Sequence, residues 1–173
     1  MGTDIHVNVE VRSKETGKWE RLTVKNPYKT WKDYETGKTE MLDLEAYSGR
    51  DYELFGILAG VRNDTYPQIM DVRGLPSDVS EGTRAEYDKY ADAWHTCSWM
   101  TVPEMDAWAS KKKNFRMDCY ECLSDCEKKV ADKDSKFIRK RFKNFVYDIR
   151  HFVDMLTYYT PDEDVRIVFW FDS

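Results

Sequence analysis

Residues 4–12 read DIHVNVEVR, and their strict alternation is the reading on which the fold depends. In an extended chain Ile5, Val7, Val9 and Val11 share one side, while Asp4, His6, Asn8, Glu10 and Arg12 share the other. The first side is a core face. The second is either a wetted surface or the floor of a cleft. The last residues, VRIVFWFDS, alternate in the same way, with Val165, Ile167, Phe169 and Phe171 against Arg166, Val168, Trp170 and Asp172. If the terminal strands are neighbours, the second face joins His6, Asn8 and Glu10 to Val168 and Trp170. Such a face is too mixed for a pure core, and short helices or loops half covering it would leave a cleft.

Working outward, Glu15-Thr16-Gly17 supplies turn chemistry, and Trp19, Leu22 and Val24 resume a strand, so a β-hairpin is expected. Lys25 to Ser48 is polar and aromatic without a clear period. It reads as an excursion or as a second short hairpin turning at Thr36-Gly37. Leu54, Phe55, Ile57 and Leu58 crowd one face of a short helix that Gly60 is placed to stop. Pro67, Gly74 and Pro76 punctuate a loop. Residues 83–94 look helical, and Thr101 with Glu104 forms a capping box at the start of another helix.

In residues 136–159, Ile138, Phe142, Phe145, Ile149, Phe152 and Leu156 recur at steps of four and three, the pattern of a long amphipathic helix ending before Pro161. The expectation is one α+β domain over 1–173. Its small antiparallel sheet, built from the N-terminal hairpin and the C-terminal strand, is packed by the long C-terminal helix and shorter helices. Irregular excursions are expected around 25–48 and 111–135, with no internal repeat.

The composition narrows the classes. Aromatic residues make up 14% of the chain, which argues against disorder. A net charge of −5 gives no basic footprint for general nucleic-acid binding. No stretch approaches the ~20 apolar residues of a membrane span, and no signal-peptide pattern opens the chain. Met1-Gly2 is not followed by the Ser or Thr of a myristoylation motif, since His6 stands there. A cytoplasmic protein is expected, its 4 cysteines reduced unless they hold a metal.

Taken together, MGTDIHVNVEV, SGRDYELFGILAGVRN, RGLPSDVS, HTCSW and VRIVFWFD resemble a family of small phage, prophage and bacterial proteins. Its members open with Met-Gly-x-Asp-Ile-His and end in a Val-Arg-x-Val-Phe-Trp-Phe-Asp-type strand. The resemblance does not reach Lys25 to Tyr47 or Lys111 to Lys136. It implies a phage setting, hence the host-cell cytoplasm, and marks Asp4, His6, Arg50, Arg62, Asn63, Arg73, Asp78 and His95 as matching positions. It implies no particular activity. Family members often carry His-x-His before Ser or Thr and Trp; here Cys97 stands in place of the second histidine.

Three constellations carry chemistry. Asp4 and His6 leave one face of a strand, and His95 and Cys97 have the same spacing. Together they would suit Zn²⁺ or another divalent metal able to activate water. Alternatively, Asp4 pairs with an arginine and His6 bonds within the fold. Arg50, Arg62 and Arg73, with Asn63, would hold a small anionic molecule through guanidinium forks, or would instead fasten loops to Asp51, Asp71 or Asp78. Cys119, Cys122 and Cys126 fall at metal-ligand spacing, with Cys97 or His151 as a fourth ligand to structural zinc, or are free thiols.

Two functions follow as expectations. One is a metal-assisted hydrolase of a phosphorylated or nucleotide-like small molecule, with Asp78 and His95 catalytic. The other is a non-catalytic binding protein that sequesters a small ligand or inhibits a host defence protein, with Tyr28, Trp31 and Tyr34 as anchors.

Overall fold

The computed structural model describes residues 2–62, 68–110 and 124–172; at 126, 127, 130, 131 and 133 it describes the backbone alone. The fold is α+β. Strands β1 (Asp4–Arg12), β2 (Trp19–Arg21), β5 (His95–Thr101) and β6 (Val165–Asp172) form an antiparallel sheet in the order β2-β1-β6-β5. Strands β3 (Lys25–Lys32) and β4 (Thr39–Asp43) form a separate two-stranded sheet. The helices are α1 (Tyr52–Ala59), α2 (Glu81–Asp88), α3 (Val102–Ala109) and α4 (Asp125–Leu156).

The terminal strands are neighbours, which meets the condition left open by the alternation. β1 runs against β6 from Asp4 opposite Asp172 to Val11 opposite Val165. Directly opposed residues share a face, so Ile5, Val9, Ile167, Phe169 and Phe171 gather on one side. There they meet Leu54, Phe55 and Leu58 of α1, Met105 and Trp108 of α3, and Ile138, Phe142, Phe145 and Ile149 of α4. Trp108 and Phe142 pack edge to face, 4.8 Å between ring centroids.

Local chemistry sets the ends of the short helices. Asp51 caps α1 by accepting from the Leu54 N–H, and Gly60 ends it at φ 70, where a residue without Cβ is favoured. Thr101 and Glu104 form the expected capping box. Arg141 of α4 reaches back to Asp51 and Glu53, fastening the long helix to the start of α1.

Three features depart from the sequence reading. The segment at 95–101 is a full edge strand, so the sheet has four strands. Helix α4 begins at Asp125, within the stretch expected to be irregular. Lys25 to Asp43 is the hairpin, one of the two readings of that stretch, with a register shift between Lys25 and Thr30. The departure is that its turn repeats the first one in a chain expected to hold no internal repeat. Gly17 N–H bonds Ser13 and Gly37 N–H bonds Asp33, both at 2.8 Å, and both glycines sit at φ 69. A Glu-Thr-Gly-Lys turn therefore occurs twice, a local repeat masked by dissimilar flanking strands.

Candidate functional site

The middle of the sheet's second face is buried, while its end at Asp4, His6 and Asp172 stays partly exposed. Glu10, Arg166, Val168 and Trp170 are each at most 2% exposed and Asn8 6%. Glu10 is the centre of a buried ionic network. Its Oε1 accepts from the Ser80 N–H (2.9 Å) and hydroxyl (2.6 Å), and its Oε2 accepts from Arg166 Nε (2.7 Å). Arg166 also donates to the Asp78 carboxylate (2.8 Å) and carbonyl (3.1 Å). Aromatic rings and guanidinium groups alternate across this face. Arg166 lies 4.1 Å from the Trp19 ring centroid and 5.5 Å from that of Trp99, and Arg73 stands 4.4 Å over Trp99. Cation–π contact and ion pairing let this many charges be buried together.

Asp78 is thus the outer clamp on Arg166. Burial favours its neutral form, but the bond to Arg166 and that group's charge prevail, and the carboxyl titrates below its usual range. The loop arginines are also engaged internally, though with partners other than Asp51, Asp71 and Asp78. Arg50 makes a two-pronged contact with Asp4, Nε to Oδ1 at 2.7 Å and Nη2 to Oδ2 at 2.5 Å. Arg62 donates to the Thr3 hydroxyl at 2.8 Å and lies over Tyr52. Arg73 grips both oxygens of Glu104, the capping-box residue of α3. Asn63 lies outside the described residues.

A Cβ at Gly2 would come within 2.7 Å of the Arg50 guanidinium, the end of a flexible side chain. Within the opening Gly-x-Asp it is Asp4 that holds the Arg50 fork. That fork holds the Asp4 carboxyl below its usual range, against a smaller opposing effect of desolvation.

His6 sits at the same end of the sheet. Its Nε2 lies 3.2 Å from Asp172 Oδ2, while Asp172 Oδ1 accepts from the Asp4 N–H at 3.2 Å. The imidazole packs with Trp94 and Trp170 in a three-ring cluster, at 4.6 and 6.3 Å between centroids, and the two indoles are 6.0 Å apart. Both His6 and Asp172 keep about a third of their side-chain surface exposed (35% and 38%).

His95 is placed otherwise. It is registered against Phe171 and stacks on it at 5.9 Å, whereas His6 is registered against Trp170. Successive residues of a strand point to opposite faces, so the register does not bring the two histidines to one face. Just beyond His95 the β5 register shifts, and Thr96 adopts φ 54, an uncommon conformation for a β-branched residue. Its hydroxyl lies 2.9 Å from His95 Nδ1.

Burial pushes the Cys97 thiol up to about 12, despite the charge of Arg84, so it is protonated at neutral pH and a poor metal ligand in that state. Among the described residues no three His, Cys, Asp or Glu side chains converge to hold a metal ion. Cys119 and Cys122 lie outside the described residues, and only the helical backbone is described at Cys126.

A further exposed aromatic surface lies on the second hairpin. Every residue of β3 and β4 is exposed except Asn26 and Asp43, which are half-buried. Tyr28 is 94% exposed, Trp31 53% and Tyr34 91%, with Met41 and Leu42 at 49% and 44%. The hairpin is tied down at its base, where Leu44 N–H bonds the Val24 carbonyl (2.8 Å) and Asp43 pairs with Arg21 and Lys25. An open groove of about 710 Å³ also runs between residues 16–23 and 78–82. Its lining mixes Lys18 and Arg21 with Glu20, Asp78 and Glu81, so it favours neither sign of charge.

The residues that sequence reasoning missed are Glu10, Arg166, Asp172, Trp94 and Trp99. Their signal was a charged or aromatic residue on the alternating second face, legible only once the strand register joined them. Comparison with protein-family models, curated proteins and solved structures gives no match.

Proposed function

We propose that the chain is a non-catalytic binding protein that docks on another protein through the β3–β4 hairpin. The observation that carries this reading is the exposure of Tyr28, Trp31 and Tyr34 on a hairpin projecting from a fully formed core. Aromatic side chains at such positions expose apolar surface with few rotamers to freeze, which makes them anchors in protein interfaces. The internal pairing of Arg50 and Arg73 supports it indirectly, because a pocket for anions would leave guanidinium groups facing a cavity. The phage setting implied by the resemblance makes a host protein the natural partner. The hairpin also falls in the stretch to which that resemblance does not extend, as suits an element that selects the partner.

The test is paired affinity capture from host lysate with wild type and a Tyr28→Ser/Trp31→Ser/Tyr34→Ser variant, followed by calorimetry with the purified partner. The variant should bind at least tenfold more weakly while melting like wild type. Equal capture by both baits refutes the reading.

The His6–Asp172 pair supports a second reading, hydrolysis of a phosphorylated small molecule, with or without a divalent metal. Here His6 would take the proton of an attacking water and Asp172 would orient the ring. A phosphoesterase screen with and without Zn²⁺, repeated on His6→Ala, tests it. Absence of any His6-dependent turnover removes it.

A further inference from the structure

We infer that the chain forms a two-fold homodimer by pairing the outer edge of β4 with the same edge of a second copy. This rests on the hairpin being a docking element and names one of its partners. An isolated two-stranded sheet is marginal in water, and three or more strands with an apolar face are needed for independent stability.

The two outer edges of this hairpin are chemically unequal. β3 carries Lys25, Lys29 and Lys32 together with Pro27, which has no N–H to offer. Lysines and proline on an edge oppose strand addition. β4 reads TEMLD, with neither lysine nor proline, and exposes Met41 and Leu42. Its outer edge pairs with no strand among the described residues. One edge is guarded and the other is open.

The register of the hairpin shows what self-pairing would join. An antiparallel pair centred on Met41 sets Met41 against the partner's Met41, Glu40 against the partner's Leu42, and Thr39 against the partner's Asp43. No like charges are directly opposed. Within one hairpin Trp31 faces Glu40, and residues two apart share a face, so Trp31 and Leu42 lie on one side. The face of the sheet β3-β4-β4-β3 that carries Trp31 and Leu42 of both copies would also carry both Glu40 side chains, each between its own Trp31 and the partner's Leu42. Thr30, opposite Met41, flanks the methionine pair on the other side. Slipping by one residue, so that Met41 meets the partner's Leu42, would oppose Glu40 to the partner's Asp43. Pairing β4 to β3 instead would leave an open-ended chain of copies, and Pro27 and the lysines guard against it. An edge contact of this kind is below the standard interface size, so the dimer is expected to be weak, with a dissociation constant on the order of micromolar.

The experiment is sedimentation equilibrium of the full chain from about 1 to 100 µM (the range such an affinity requires), together with cysteine cross-linking. Wild type should pass from monomer to dimer across that range. Met41→Lys sets two lysines face to face and should weaken association at least tenfold. Met41→Cys under mild oxidation should give a dimer whose linked peptide joins position 41 to position 41, and Tyr28→Cys should not. Circular dichroism melts confirm that the variants fold. A monomer at all concentrations, a dimer indifferent to Met41→Lys, or equal cross-linking from both cysteine positions overturns the inference. So does a host protein bound in place of the second copy and lost in Met41→Lys. The docking reading is scored separately by a Tyr28→Ser/Tyr34→Ser variant, which keeps Trp31 and should leave 41-to-41 cross-linking intact.

Discussion

Replacing Glu10 by Gln removes one charge from the buried network and changes little in volume. Wild-type Glu10 is 0% exposed and its two oxygens accept from Ser80 and Arg166, so each side faces donors. A glutamine offers one acceptor and one NH₂, so a donor must oppose a donor on one side. Arg166, 2% exposed, is left with Asp78 as its only charged partner among the described residues, itself 64% exposed. Breaking one side of a buried ion pair costs about 3–5 kcal/mol. For a chain of this length the midpoint should fall by roughly 6–20 °C. Arg12→Gln, which breaks the more exposed pair with Asp164, is the control and should cost no more than about 1 kcal/mol. Urea titration at pH 7 gives both free-energy losses, and a Glu10→Gln/Arg166→Met cycle gives the coupling. The two single losses should together exceed the double loss, because removing the arginine removes the charge that the glutamine would strand. If Glu10→Gln costs no more than Arg12→Gln, or the losses simply add, the buried pair is not the fastening described.

Glu104 is held below its ordinary value of 4.5: burial acts to raise it, but the bonds from Arg73 and Thr101 outweigh burial. A carboxyl with a depressed folded value contributes stability that is present above its unfolded value and lost as pH falls through the folded one. Arg73→Met should therefore destabilise at pH 7 and make much less difference near pH 2, as read from urea midpoints at both. Cys97, whose thiol is raised to about 12, should resist iodoacetamide at pH 8 in the folded chain and react once unfolded in urea. Peptide mapping by mass spectrometry identifies the labelled site. Gly60→Ala places a Cβ at φ 70 and against the Gln68 amide, so thermal melts should show a loss of about 1–2 kcal/mol.

Strand alternation made the core legible because one face of β1 and β6 is apolar without exception, and helical spacing did the same for the buried face of α4. What it left open was the other face. Glu10 and Arg166 each look like ordinary exposed charges when read singly, and only the register of β1 on β6 places them in contact. The arginines at 50, 62 and 73 stood out as important positions, but their partners lie far away in sequence: an arginine for Asp4 was one of the two readings, whereas Thr3 and Glu104 were not among the partners expected. The strand at 95–101 was obscured by its bulge, where Thr96 breaks the alternation on which a strand reading depends. Both hairpin turns were legible from Thr-Gly, yet their identity was hidden because one flanking strand is buried and the other exposed.

The bond between Val24 and Leu44 closes the base of the second hairpin, so the chain leaves and re-enters the body at nearly one point. That makes the hairpin a cassette. It can be shortened, exchanged or regrafted without disturbing the ladder beneath, while the fold stays fixed by residues at the two ends of the chain. The molecule thereby separates the body that fixes the fold from a surface ribbon attached at its base.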